Sequence, residues 1–285
     1  MVSTRPGRAL FFTRHPVLPG FTLSFGLSVL FVSLVILLPL TALLLHASDM
    51  SWAEYRSIIL DDRVAATYRI TLIAAFWASM INAVLGLLFA WVLVRYRFPG
   101  RSLMDALMDL PFALPTAVAG ITLTTLFAAN GWLGRWFDMA GIQIAYAFPG
   151  IVIAMSFTSL PFVVRALQPV LEDIGPEYEE AARTLGASNR QAFWHVVLPQ
   201  LRPALLTGTS LAFIRSLGEF GAIIFIAGNI PFETEVTSLM IYIRIQEYDA
   251  PAATAIASVV LLASLLLLFL VQLWQGRFLK RIRGG

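Results

Sequence analysis

The sequence predicts an all-α membrane protein with six transmembrane helices. The first observation is composition: of 285 residues, 58% are apolar and 13% charged, about half the charge expected of a soluble domain. The second is clustering. Residues 21–45, 70–94, 110–129, 147–164, 204–227 and 252–273 form apolar runs, each near the roughly 20 residues that cross a bilayer core as a helix. The runs are continuous and lack period-2 alternation, which argues against a β-barrel. The third is the placement of Lys and Arg. Of the 20, fourteen fall on one side of these spans, five on the other, and Arg215 lies inside a span. The positive-inside bias then places both termini in the cytoplasm of an inner (plasma) membrane protein.

The first run covers about 25 residues, longer than a signal-peptide core, so it reads as a permanent helix kinked at Pro39. In the third run, Pro111 and Pro115 predict a bend. The fifth run carries Arg215 and Glu219, four apart on the expected helix and so able to pair. Gly218 and Gly221 beside them would let a neighbouring helix approach. In the sixth run, Ala253, Ala257 and Ser258 supply small residues at close-packing spacing.

Several functions are disfavoured. There is no cysteine, hence no disulfide, thiolate metal site or thiol chemistry. His15, His46 and His195 lie in separate segments, so no metal site is expected. A P-loop needs Gly-Lys-Ser/Thr, but the one lysine, Lys280, lies between Leu279 and Arg281. No domain here would hold a nucleotide, and no catalytic residue is expected. The net charge of +3 reflects topology and gives no reason to expect nucleic acid.

One stretch departs from this pattern: GPEYEEAARTLGASNRQAFWHVVLPQLRP, residues 175–203. It reads as two short helices. Pro176 suits a first helical position, and Glu177, Glu179 and Glu180 suit the positive end of the helix dipole. Gly186 fits a C-terminal cap. Ser188 and Gln191 form a capping-box pattern opening the second helix, and Pro199 is expected to end it. Ala181, Ala182 and Leu185 make a small apolar face; Phe193, Val196 and Val197 make a larger one. The charge bias places this segment on the cytoplasmic side.

Glu180-Ala181-Ala182, Gly186, Val196 and Leu198-Pro199 match, in spacing, the E-A-A-x3-G-x9-[I/V]-x-L-P signature of ABC importer permeases. The stretches LPFALPTAVAG, PEYEEAARTLGA and SLGEFGAIIFIAGNIPFETEVTSLMIYIRIQEYDAPAATAIASVVL resemble, more narrowly, the T-type (or U-type) permease of sulfate/thiosulfate importers. The resemblance spans roughly residues 65–273, with Phe232-Glu233 as a small departure in an outer loop.

The resemblance implies a type I ABC importer permease fold. Its parts would be a tail at 1–20, a first helix at 21–45, a permease core at 65–273 with a coupling segment at 175–203, and a basic tail at 274–285. Glu180, Ala181, Ala182, Gly186, Val196, Leu198 and Pro199 would contact an ATPase. Two ATP-binding subunits would carry ATP and Mg, so this chain needs no cofactor of its own. A W-type sister permease and a periplasmic sulfate- or thiosulfate-binding protein would complete the assembly.

The translocation path is expected to use Thr116, Thr122, Arg215 and Glu219. Thr124, Ser156 and Thr158 are further neutral donors, although each can bond back to its own helix. Arg215 and Glu219 read either as a salt bridge fixing helix or interface geometry, or as a restrained positive charge for the anion. Two alternatives stand beside the sulfate reading. One is an importer permease for molybdate, tungstate or another oxyanion. The other is an anion carrier or channel that needs no ATPase.

Overall fold

A computed structural model describes residues 21–283, except for the side chain of Thr22 and those from residue 274 onward. The expected tail at 1–20 lies outside the described residues. All regular structure among them is helical. Residues up to Asp49 and those from Met50 onward form two separate units. The first unit holds α1 (Phe21–Val32), a π turn (Ser33–Leu37) and α2 (Leu38–Ser48). Pro39 sits in the first turn of α2, where its missing N–H is tolerated.

The second unit opens with α3 (Trp52–Ile59) and α4 (Asp62–Arg95). The Ser51 side chain caps α3 by accepting from Glu54 N–H, and Asp61 caps α4 by accepting from Arg63 and Val64 N–H. Next come α5 (Arg101–Met108), α6 (Leu110–Ala113), α7 (Thr116–Phe127), α8 (Gly134–Met139) and α9 (Phe148–Asp173). Then follow α10 (Glu177–Thr184), α11 (Asn189–Ala192), a second π turn (Phe193–Val197) and α12 (Leu198–Leu217). Last are α13 (Ile223–Ile226), α14 (Thr237–Gln246) and α15 (Ala250–Arg283).

Helices α4, α9 and α12 pack on one another as the centre of this unit. Two apolar clusters hold them together. One includes Ala74, Ala78, Ile151, Met155, Leu217 and Ile223. The other, toward the 175–203 segment, includes Ala90, Leu93, Val163, Leu167, Val197 and Leu201. Between them lies a polar crossing. Asn82 on α4 donates to Ser159 Oγ at 2.8 Å and Ser156 O at 3.0 Å on α9, and Ser216 on α12 donates to Ser159 Oγ at 3.2 Å. In an apolar medium such groups must find partners inside the protein, so the crossing fixes the register of three helices. The close approach also needs glycine: a Cβ on Gly86 would fall 2.6 Å from Val163 Cγ1, and one on Gly208 2.8 Å from Val163 Cα.

At the end remote from 175–203, Arg63 on α4 makes a bidentate pair with the fully buried Glu235, at 2.8 and 2.9 Å. Thr71 and Thr237 share a hydroxyl contact at 3.0 Å. Of the small residues of α15, Ala253 and Ser258 are buried and Ala257 is half-buried.

Among the described residues, four helices are long and apolar enough to cross a membrane: Leu23–Ser48, Asp62–Arg95, Phe148–Asp173 and Ala250–Leu273. The third expected span is not one helix. Leu114 is extended (ψ 135°), as a residue before proline prefers, and this separates α6 from α7. The fifth expected span also stops early, at Leu217. There Glu219 turns its carboxylate back to accept from Ala222 N–H at 3.0 Å, and the chain resumes as the single turn α13. Glu219 therefore lies beyond the helix that carries Arg215, not on it.

Gly208→Val should force α12 away from α9 and destabilise the bundle by about 1–3 kcal/mol, the usual cost of overpacking. The thermal unfolding midpoint of the full chain in detergent reads this directly. An unchanged midpoint would contradict the close approach.

Candidate functional site

The 175–203 segment is built as the local sequence dictates, with one exception. Gly186 takes φ +88°, a conformation that penalises any Cβ. Its N–H donates to Arg183 O at 2.9 Å, and Ala187 N–H donates to Ala182 O at 3.0 Å. These two bonds form a Schellman closure of α10. Ser188 and Gln191 complete the capping box: Ser188 N–H donates to Gln191 Oε1 at 2.8 Å, and Gln191 N–H to Ser188 Oγ at 3.3 Å.

The exception is Pro199, which does not end its helix. The chain runs from α11 through the π turn Phe193–Val197, where Leu198 N–H reaches back to Phe193 O, and on into α12. The wider turn re-sets the hydrogen-bond register. Pro199 then falls in a first turn, where no N–H is required.

The two apolar faces behave differently. Phe193 packs edge-to-face on Trp91 of α4, ring centroids 5.2 Å apart, and Val197 is buried. The α10 face instead points mostly outward: Leu185 is 90% exposed, and Glu180, Ala181 and Gly186 are also exposed, while Ala182 is half-buried. A Cβ on Gly186 would meet no atom within 4 Å. The tip is thus an exposed apolar residue, Leu185, among exposed charges of both signs, Glu180 and Arg183 included. Val196, Leu198 and Pro199 are half-buried and belong to the attachment of the segment to the bundle.

A polar tie that sequence spacing does not reveal holds this tip to α4. Arg95, the last residue of α4, faces Glu179 of α10 at 3.0 Å, and both side chains are largely buried, at 13% and 14% exposure. Arg95 also donates to Leu171 O at the end of α9 at 3.1 Å and lies 5.5 Å from the Trp91 ring centroid. The Nε–Oε1 contact is poorly aligned as a hydrogen bond, so the attraction is mainly coulombic.

Nearby, Arg165 on α9 holds the α5–α6 segment. It contacts Asp109 through two bonds at 2.6 and 2.8 Å and Asp105 Oδ1 at 2.7 Å. Gln168 donates to Asp105 at 3.0 Å. That bond, with Arg165 beside it, lowers the Asp105 pKa below the usual carboxylate range.

The expected path residues fall into two places. Arg215, Glu219 and Thr116 meet at the helix breaks. Arg215 Nη1 is 2.9 Å from Glu219 Oε2; Glu219 is 1% exposed while the Arg215 side chain is 35% exposed. Ser238 donates to Glu219 O at 2.6 Å. The partner of the close approach is in this chain: Gly221 packs against Thr116, and Gly120 against the Ala222 backbone, whereas Gly218 is open. Thr122 lies elsewhere, in a groove of ≈ 580 Å³ with Thr125, Asn130 and Trp132. Its hydroxyl bonds back to Val118 O, as that of Thr124 does to Gly120 O and that of Thr158 to Ala154 O.

Residues 82–284 match the model of the family described as "Binding-protein-dependent transport system inner membrane component". The chain belongs to that family. The permease is 62% identical over 268 residues, 94% of its length and 97% of the relative's, to the sulfate transport system permease protein CysT of Escherichia coli (strain K12). It is 46% identical to the probable sulfate transport system permease protein cysT of Zygnema circumcarinatum, over 92% of its own length and 88% of the relative's. In fold it resembles a chain from the crystal structure of a bacterial alginate ABC transporter in complex with its alginate pentasaccharide-bound periplasmic protein. The TM-score is 0.75 at 16% identity, covering 92% of this chain and 96% of that one. The fold is that of a type I ABC importer permease.

Two outcomes test this geometry. Glu179→Ala leaves Arg95 buried without its counter-charge, a change that costs about 3–5 kcal/mol when a buried pair is broken. The thermal midpoint should fall, and α10 should exchange its amide hydrogens faster while α4 does not. Equal protection in parent and variant would contradict the tie. For Asp105, the folded pKa lies below the unfolded one. Its stabilisation is therefore present above the unfolded value of about 3.9 and lost as pH falls through the folded value. The Asp105 contribution to the thermal midpoint should be constant from pH 7 to 5, and the midpoint should drop less steeply below about pH 4 in Asp105→Asn than in the parent.

Proposed function

We propose that this permease is the membrane-spanning subunit of an ATP-driven importer of sulfate or thiosulfate, with the α10–α11 hairpin as its contact to a separate ATPase. The observation that carries the reading is an exposed apolar tip mounted on a buried, charged attachment. A surface of that kind suits a partner, and the Arg95–Glu179 pair would pass the partner's displacement to α4 and α9. The identity with sulfate transport permeases over nearly the whole chain supports the substrate class.

In this reading two ATPase subunits supply ATP and Mg chemistry, a sister permease completes the membrane pair, and a periplasmic binding protein delivers the anion. Approach of the two ATPase subunits moves the hairpins and turns the site outward; product release turns it back. The permease forms no covalent intermediate. In this reading the six apolar runs are the spans, and the Lys and Arg bias puts both termini and the hairpin in the cytoplasm.

Arg215 belongs to the path in this account. An arginine with a third of its side chain exposed cannot face lipid cheaply, so that face is covered by protein or water. Glu219 is buried and held by Ala222 N–H, so the pair keeps a cation at the helix breaks while limiting how tightly an anion binds. Strong binding there would slow release.

Radiolabelled sulfate uptake by the chain co-expressed with its ATPase and sister permease tests the proposal, with thiosulfate and molybdate as competitors. Gly186→Asp, which breaks the left-handed turn at the tip, should abolish uptake while the chain still inserts. Undiminished uptake in that variant would contradict the hairpin's role. Arg215→Gln should assemble yet shift the apparent affinity or the order of competition. A variant indistinguishable from the parent would remove Arg215 from the path.

A further inference from the structure

Glu219 lies past the end of α12, so its place is not set by a helical ladder. Its N–H donates to Ser216 O at 3.1 Å. Its Oε1 accepts from Ala222 N–H at 3.0 Å, and its Oε2 is 2.9 Å from Arg215 Nη1. These contacts all fall within residues 215–222, so they shape the segment without anchoring it. Packing of Gly221 and Ala222 on α7 holds its far end. The remaining contact differs in kind. Ser238, the second residue of α14, donates from its hydroxyl to Glu219 O at 2.6 Å. Among the described residues, it is the polar contact that ties Glu219 to another element.

The start of α14 is itself firmly mounted on α4. Thr237 N–H donates to Thr71 Oγ1 at 2.9 Å, the two hydroxyls meet at 3.0 Å, and both residues are buried. Two residues earlier, the fully buried Glu235 takes both bonds of Arg63. A short stretch, residues 235–238, therefore grips α4 and reaches the break after α12. Helix α4 carries Arg95 and its hairpin contact at the opposite end. A shift of α4 against α12 would thus arrive at Glu219 through Ser238.

We propose that Ser238 is a positioning residue for anion passage: by fixing the Glu219 backbone, it holds the carboxylate against Arg215 and sets how much positive charge an anion meets. This rests on the reading that Arg215 belongs to the path. Away from bulk water, the attraction between two charges is strong and changes steeply over short distances. Glu219 released from α14 would neutralise Arg215 less completely. The exposed part of the guanidinium would then hold the anion more tightly and release it more slowly.

The test uses the complete complex, this chain with its ATPase subunits and sister permease. Two quantities are read: labelled sulfate bound by the complex without binding protein, and maximal uptake in proteoliposomes with saturating loaded binding protein. Ser238→Ala should raise the affinity for sulfate about two- to tenfold, the range of one ordinary hydrogen bond, and lower maximal uptake. Ser238→Thr keeps the hydroxyl and should return both toward the parent. The gain in affinity should vanish when Ser238→Ala is combined with Arg215→Gln. A merely structural serine would lower assembly and uptake and leave affinity alone. Parental affinity in Ser238→Ala, with Arg215→Gln still shifting it, would therefore overturn the positioning role and leave Arg215 in the path. Parental affinity in Arg215→Gln would overturn both, and a gain that survives in the double variant would overturn the positioning role. Should Ser238→Ala not assemble, Ser238→Cys, a weaker donor, is read in its place; a smaller gain is expected, and parental affinity would overturn the role.

Discussion

The Arg95–Glu179 pair is the contact on which the rest of this architecture turns. Two charges of opposite sign, both largely buried, sit where the longest central helix ends and the polar hairpin begins. Removing Glu179 leaves Arg95 uncompensated in a poor solvent for ions, and removing Arg95 leaves Glu179 only the longer contact to Arg183 at 3.7 Å, so the hairpin cannot drift from α4 cheaply. Arg95 also holds the last turn of α9 through Leu171 O. The ends of two central helices and the hairpin therefore share one guanidinium. A push on the exposed tip meets a rigid mount.

At the other end of that lever the bundle is irregular, and the irregularity obeys the same solvent rule. Unpaired backbone groups within a membrane are tolerated where protein or water covers them. The breaks after α6 and after α12 occur together, packed through Gly120, Gly221 and Thr116. Glu219 supplies the acceptor for Ala222 N–H that the interrupted helix no longer provides, and Arg215 supplies the counter-charge. The same carboxylate thus closes the backbone at a break and fixes a cation beside it. Between the mount and the breaks lies the Asn82–Ser159–Ser216 crossing, which holds α4, α9 and α12 in register. Displacement at the hairpin would therefore reach the breaks as motion of a packed unit rather than as bending of one helix.

Much of this was legible in the sequence because it is local. The Ser188–Gln191 box, the turn at Gly186 and the break at Pro115 depend on residues within four positions. The Arg215–Glu219 pairing was visible from spacing, but the end of α12 between them was not, since Gly218 alone does not say whether a helix continues. Pro199 misled for a physical reason: a proline ends a regular α-helix, whereas a π turn just before it lets the chain go on. Arg95–Glu179 and Arg63–Glu235 join residues far apart in the chain. No periodicity signals them, although a charged residue at the exact end of an apolar run, as Arg95 is, invites the question of its partner. The outward direction of the α10 face was implied by the coupling resemblance and not by the local pattern, because packing decides which way a short helix turns.

The central claim is that motion enters the bundle through a charge pair and not through the connecting chain alone. Its most direct measurement is the ratio of sulfate imported to ATP hydrolysed by the reconstituted complex in the parent, in Arg95→Glu, in Glu179→Arg and in the exchanged double variant. The account expects each single variant to hydrolyse ATP with little import, and the exchange to recover a substantial part of the parent ratio. A ratio unchanged in the single variants, or lowered equally in all three variants, would contradict it.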